Sequence, residues 1–299
     1  ARIPAGRAEI ARLVDRDPLK DRASAESLGS LLLKPFAALL ERTSTLVIVP
    51  DGPIHLVPFA ALPGFSKPYL IEERVIRVSV SATAYAGVVN RPGPRTLPQR
   101  ALIIGNPSVS SLSRPFRNLR EAVAEGAAIS RIYPRSTVLT GQQATRENVL
   151  RELASHEVFH FAGHSVANHL IPGGSRLLTA GSEQEAITAV DISTLDLDHL
   201  RLVMLSSCES VAGVTTRSEG PMGLARAFLT AGADVVVASL APVGDRSTRE
   251  LAVAFHQQYQ RNQDAAAALR EAQLMLLRSP DPALAAPESW AYFVVIGAS

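Results

Sequence analysis

The stretch VMLSSCES carries the only cysteine of the chain, Cys208, and the stretch VFHFAGHS carries His164. Each of the two residues stands where a strand-like apolar run gives way to small and polar residues. A thiol attacks a carbonyl only as the thiolate, and an imidazole within reach can take its proton and later return it to a leaving group. If the two strands are neighbours, both side chains emerge on one rim of a sheet, the arrangement that nucleophilic catalysis needs. The plainer reading of a lone cysteine is a small buried hydrophobe. The residues alone leave both readings open.

A second motif overlaps the first. HEVFH, residues 156–160, satisfies H-E-x-x-H, the spacing by which two histidines on one helix face bind zinc. Here Val158, His160 and Ala162 alternate with Phe159 and Phe161, as on a strand. In a strand His156 and His160 stand about 13 Å apart at roughly 3.3 Å per residue, too far to share one ion. No metal site is expected. GNP at 105–107 and GPMG at 220–223 lack the Lys and Ser/Thr of a phosphate loop, so no nucleotide or other cofactor is implied. His55, His169, His199 and His256 show no interpretable spacing.

Positioning such groups requires a large core, and 299 residues with 46% apolar content can bury one. From residue 101 onward, short apolar runs alternate with helical patterns: ALIIGN, TVLT, EVFHFAG, RLLTAG, LRLVMLSS, ADVVVASL and WAYFVVIG read as strands. Between them NLREAVAEGAAISRIY, TRENVLRELAS capped by Thr145, GPMGLARAFLTAG, STRELAVAFHQQYQ and DAAAALREAQLMLL read as helices. This pattern predicts an α/β fold with a mostly parallel central sheet covered by helices on both faces. In such sheets ligands bind beyond the carboxyl ends of the strands.

Upstream, residues 25–42 read as a helix kinked at Pro35, TLVIVPDGPIHLVPFAAL as a hairpin-like unit, and YLIEERVIRVSVS as further strand. Residues 90–100, rich in Pro, Gly and Arg, mark a linker. The expected division is a smaller N-terminal α/β subdomain over 1–100 and a catalytic subdomain over 101–299.

A net charge of +2 argues against a dedicated nucleic-acid partner, and no apolar run approaches the length of a membrane span. One cysteine allows no internal disulfide, which fits a reducing cytoplasm. The absence of an initiator Met in ARIPAGRAEI suggests numbering that starts inside a longer polypeptide.

From EVFHFAGHS and LSSCES the sequence resembles the CHAT domain, a caspase- and separase-like cysteine peptidase family often found at the end of TPR-containing chains. Supporting runs are LVIVPDGPIHLVPFAAL, ALIIGNPSVS, EGPMGLARAFLTAGADVVVASL, ALREAQ and ESWAYFVVIG, which cover the chain from about residue 25. The resemblance implies a caspase-like α/β sandwich with Cys208 as nucleophile, His164 as general acid/base and His160 as a buried structural histidine. Backbone N–H groups of Ser165 and Cys208 would form the oxyanion hole.

Asp245, and less directly Glu209, could shape a pocket for a basic P1 residue of a protein substrate, while Asp245 could equally cap the helix that follows it. Arg217, in TTRSEG, is either an exposed turn residue or an activating cleavage point. A TPR-containing or regulatory segment before residue 1 is the partner implied. Three positions depart from the family: Ser165 for a Gly, and Ala241 and Gly244 in SLAPVGD. They motivate a second expectation, an inactive scaffold that binds a protein partner.

Overall fold

Strands that are apolar on both sides must be covered on both sides. The computed structural model describes residues 6–89, 96–110, 116, 118–166, 168, 172–206 and 220–297. Its central sheet has eight strands: β1 (Thr45–Ile48), β2 (Val75–Val78), β3 (Arg100–Pro107), β4 (Arg135–Gly141), β5 (Val158–Ala162), β6 (Leu202–Leu205), β7 (Val235–Ser239) and β8 (Phe293–Gly297). Their spatial order is β1-β2-β8-β7-β6-β5-β3-β4. Neighbours pair in parallel except β7 and β8. The principal helices are α1 (Arg7–Asp15), α2 (Arg22–Leu32), α3 (Arg120–Ser130), α4 (Arg146–Leu153), α5 (Gly220–Thr230), α6 (Asp245–Asn262) and α7 (Ala265–Leu277).

Alternation along each strand sorts the core into two layers. Ile103, Val158, Met204, Val235 and Val237 pack against Ile129 of α3, Leu251 and Phe255 of α6, and Leu269 of α7. Leu102, Ile104, Phe159, Phe161, Val203 and Val236 pack on the other face against Val149 and Leu153 of α4 and Phe228 of α5. The expected class therefore stands, a mostly parallel sheet with helices on both faces. A third cluster joins Ile10, Val14, Leu28, Val57, Phe59 and Leu62, with Leu46 and Ile48 of β1 packed against it.

Local chemistry sets the helix starts. Thr145 Oγ1 accepts from Asn148 N at 3.2 Å to cap α4, as expected, and Asp264 accepts from Ala267 N at 2.9 Å to cap α7. Asp264 also holds the buried Arg77 guanidinium at 2.7 Å, joining β2 to α7.

Two upstream and midstream expectations are corrected. The hairpin-like unit is a single strand, β1, followed by 3-10 turns at Gly52–Leu56 and Phe59–Ala61, and β1 pairs in parallel with β2 instead. Pro53 and Pro58 cannot donate to a ladder, and Gly52 turns the chain at φ +56°. RLLTAG adds nothing to the central sheet: Arg176–Leu177 pairs antiparallel with Ser165–Val166 and Ile187–Thr188 in a small sheet of its own. The predicted break at Pro35 is present, because α2 stops at Leu32 and a 3-10 turn occupies Lys34–Phe36.

Next to this small sheet, Arg146 Nη1 donates to Asp191 Oδ2 at 2.8 Å, and Thr188 donates to the same oxygen through Oγ1 at 2.6 Å and N at 2.8 Å. The Arg146 bond, opposed by partial burial and reinforced by Thr188, holds the Asp191 carboxyl well below the usual carboxylate range. A depressed folded-state pKa contributes stability that is fully present above the unfolded value near 4 and is lost as pH falls through the folded value. Asp191→Asn should thus lower stability by about 1–2 kcal/mol at pH 7 and by progressively less below pH ~4, read as the urea midpoint against pH.

Candidate active site

β5 and β6 lie side by side in parallel, with Val158 opposite Leu202 and Phe161 opposite Leu205. Ser206 N extends this ladder by donating to Phe161 O at 2.9 Å. The condition set by the sequence, that the two strands be neighbours, is met. His164 follows the end of β5; it is 2% exposed, and its ring lies against Phe116 at 5.2 Å between centroids, tilted by 37°. The His164 carbonyl accepts from Leu178 N at 2.9 Å, and Ser165 pairs with Leu177, so the backbone that follows the imidazole is fixed by the small sheet.

Ser165 also needs no glycine. Among the described non-glycine residues, positive φ occurs at Asp17, Asn106 and Gln263. Cys208, Glu209 and Arg217 lie outside the described residues.

Asp245 sits on the same rim, beyond the carboxyl end of β7, as the first residue of α6. The expectation that it caps α6 is corrected: the N-cap is Gly244, and no side chain caps that helix. Asp245 Oδ2 instead accepts from Glu121 N at 3.2 Å, in the first turn of α3. Negative charge is favoured there by the unpaired N–H groups and the helix dipole. Arg249, one turn further along α6, donates from Nη1 to Glu121 Oε2 at 2.6 Å. Asn106, left-handed at φ +49° near the end of β3, accepts from Leu119 N at 3.3 Å. The start of α3 is therefore seated from two sides.

Beneath the rim, between β5, α3 and α6, lies a buried polar cluster. His160 and His256 are fully buried, Glu125 is 1% exposed and Tyr133 3%. Tyr133 Oη contacts His256 Nδ1 at 2.7 Å, His256 Nε2 contacts His160 Nδ1 at 3.1 Å, and His160 Nε2 contacts Glu125 Oε1 at 2.8 Å. The last contact is short but not aligned as a hydrogen bond. Burial, reinforced by the neighbouring His160, pushes His256 well below the usual imidazole range. Burial and the nearby Tyr259 hold the Tyr133 hydroxyl well above 10. A neutral His256 and a protonated Tyr133 fit either direction along this chain, Tyr133 donating to His256 and His256 to His160, or the reverse, and the histidine tautomers set which.

His160 is buried, as the sequence implied. The role of His256 was missed, because it lies 96 residues from His160 in the chain. The available signal was its place on the apolar face of α6 among Leu251, Ala252, Phe255 and Tyr259. In the HEVFH motif the two histidines look to different partners: His156 Nε2 contacts Thr137 Oγ1 at 3.0 Å, whereas His160 contacts His256 and Glu125. Among the described residues no group of three or more His, Cys, Asp or Glu is placed to hold a metal ion, and no helix is long and apolar enough to cross a membrane. A depression of about 500 Å³ lined by Ser79, Tyr85, Arg226, Asp234 and Gly297 lies at the other rim of the sheet, beside the start of β7 and the ends of β2 and β8.

The fold so described is that of the caspase-like cysteine peptidases. A yeast (Saccharomyces cerevisiae) separase–securin complex superposes with a TM-score of 0.55 at 15% identity, covering 84% of this chain and 15% of that one. The Arg-specific cysteine proteinase gingipain R of Porphyromonas gingivalis superposes with a TM-score of 0.59 at 10% identity, covering 97% and 74%. The chain belongs to the CHAT domain family, whose model matches residues 22–298. Tetratricopeptide repeat protein 28 of Homo sapiens is 29% identical over 326 residues, and that of Mus musculus 28%. Both alignments cover 91% of this chain, which spans 13% of the length of those relatives.

Proposed function

We propose that the chain is a cysteine endopeptidase that uses a Cys208–His164 dyad on a protein substrate. The observation that carries this reading is the register of β5 against β6: His164 and Cys208 are each three residues beyond the paired Phe161 and Leu205. In the proposed reaction the Cys208 thiol gives its proton to His164, the sulfur bonds to the scissile carbonyl carbon, and the oxyanion is received by N–H groups of Ser165 and Cys208. Collapse breaks the C–N bond as His164 protonates the leaving amine. Water, deprotonated by His164, then hydrolyses the thioester. Residues of this chain supply the nucleophile and the acid/base.

Asp245 and Glu209 are proposed to favour a basic P1 residue, in line with the Arg-specific neighbour. Asp245→Asn keeps an acceptor for Glu121 N while losing the charge. It should lower kcat/KM for Arg peptides by about 10- to 100-fold with only a small fall in the urea midpoint, from the charge lost at the helix start. Asp245→Ala should lower both. The product termini of a peptide-library digest test the whole reading, because an active chain must generate new termini that Cys208→Ala does not.

A second reading, a CHAT scaffold that binds a protein partner without hydrolysis, is favoured by Ala241 and Gly244 in SLAPVGD. Similarity to tetratricopeptide repeat proteins supports protein partners under either reading, including a TPR-containing segment before residue 1. Thiol-selective alkylation at neutral pH separates the two readings, since a scaffold's Cys208 reacts no faster than a free thiol.

A further inference from the structure

The cluster of Glu125, His160, His256 and Tyr133 takes no part in the proposed chemistry, yet it occupies the core beside the strand that leads to His164. Buried polar groups cost free energy unless partnered, and replacing a buried ionisable pair by hydrophobes of similar volume is often neutral or stabilising. Net stability is therefore a poor account of four such groups in one place. Fixed geometry is a better one.

The backbone ladders of β5 end close to its carboxyl terminus. On the β3 side the last partners are Gly105 and Ala162, and on the β6 side the last bond runs from Ser206 N to Phe161 O. On the face of β5 that meets α3 and α6, His160 precedes Ala162, which has no polar handle. His160 is thus the last side chain on that face that can be tied to a helix before His164, and its two ring nitrogens face His256 of α6, at hydrogen-bond distance, and Glu125 of α3, at 2.8 Å.

Glu125 is itself accurately placed. It stands one turn after Glu121, whose N–H meets Asp245 and whose carboxylate meets Arg249. A single turn of α3 therefore spans from the carboxylate proposed to receive a basic P1 group to the histidine in β5, the strand that precedes His164.

We infer that Glu125 is a positioning residue: through His160 it fixes the end of β5, and together with Asp245 of α6, which meets the start of the same α3 helix, it holds His164 in register with the substrate-binding rim. The inference rests on the reading of His164 as the acid/base. The relevant surroundings are Glu121 on α3, Asp245, Arg249 and His256 on α6, and Tyr133 after α3.

The test uses the full chain with Glu125→Leu, which keeps bulk and removes the contact, and Glu125→Gln, which keeps an oxygen towards His160 Nε2. Glu125→Leu should keep its urea midpoint, lower kcat at least tenfold at unchanged KM, and shift the His164 ring signals in spectra of ¹⁵N-histidine-labelled protein. Glu125→Gln should restore kcat to within about threefold of the parent chain. A folded Glu125→Leu protein with parental kcat and unmoved His164 signals overturns the inference.

Should Glu125→Leu not fold, Glu125→Met takes its place; failure of both to fold also overturns it, because the contact is then required by the fold itself. If the parent chain neither cleaves peptides nor reacts with iodoacetamide faster than a free thiol, the peptidase reading fails. The His164 signals still decide whether Glu125 positions that ring.

Discussion

Replacing Cys208 by Ala should abolish peptide hydrolysis, and replacing His164 by Ala should lower kcat by about 10⁴-fold, the upper range for loss of a positioned acid/base. The two changes should not add. Once the thiol cannot be deprotonated and the amine cannot be protonated, removing the second member of the dyad takes away little that remains, so the double variant should match Cys208→Ala. His164 is buried, and its truncation leaves a space beside Phe116. The comparison therefore needs the urea midpoint of each variant beside its turnover of fluorogenic Arg peptides. A folded His164→Ala chain with parental turnover would remove the imidazole from the mechanism, and a turning-over Cys208→Ala chain would remove the thiol.

The largest expected effect on stability lies at Trp290. It is fully buried, meets Tyr69 edge-on at 5.4 Å, and donates from Nε1 to Ala285 O at 3.1 Å. Its own carbonyl accepts from Gln273 Nε2 at 2.9 Å, and the same amide reaches Phe293 O at 3.1 Å, tying α7 to the start of β8. Trp290→Ala should cost about 3–5 kcal/mol through lost transfer energy and the cavity left behind. Against a typical total of roughly 5–15 kcal/mol, that leaves a marginal domain. Trp290→Phe should cost less, since it keeps much of the apolar contact and loses the indole N–H bond. Urea midpoints at constant slope would show both, and a Trp290→Ala midpoint within experimental scatter of the parent would mean the core closes over the gap.

The sheet is legible in the sequence wherever its strands are buried on both faces. ALIIGN, EVFHFAG, LRLVMLSS and ADVVVASL are too apolar and too short for anything else between helices, and all four are central strands. The hairpin expectation fails because apolar content around Pro53 and Pro58 hides the missing donors, and the true partner of β1 is 30 residues away in the chain. RLLTAG fails for a related reason, since two strand residues in a small sheet beyond the rim look the same in sequence as an edge of the main one.

Of the candidate site, His164 and the pairing of its strand with β6 follow from pattern. Asp245 does not, because its acceptor role is filled by an N–H of Glu121, 124 residues away. No local spacing reports a contact of that kind, nor the meeting of His160 with His256.

The strand β8 is placed between β2 and β7. Among the described residues, 45–78 and 100–239 thus build two separate pieces of sheet that touch side by side only across residues 293–297. On the ribosome, β1 and β2 wait through more than 200 residues of synthesis for the segment that welds them to the rest. Such long-range closure slows folding, and it also means that a nascent chain stalled before residue 293 carries His164 on an unfinished sheet.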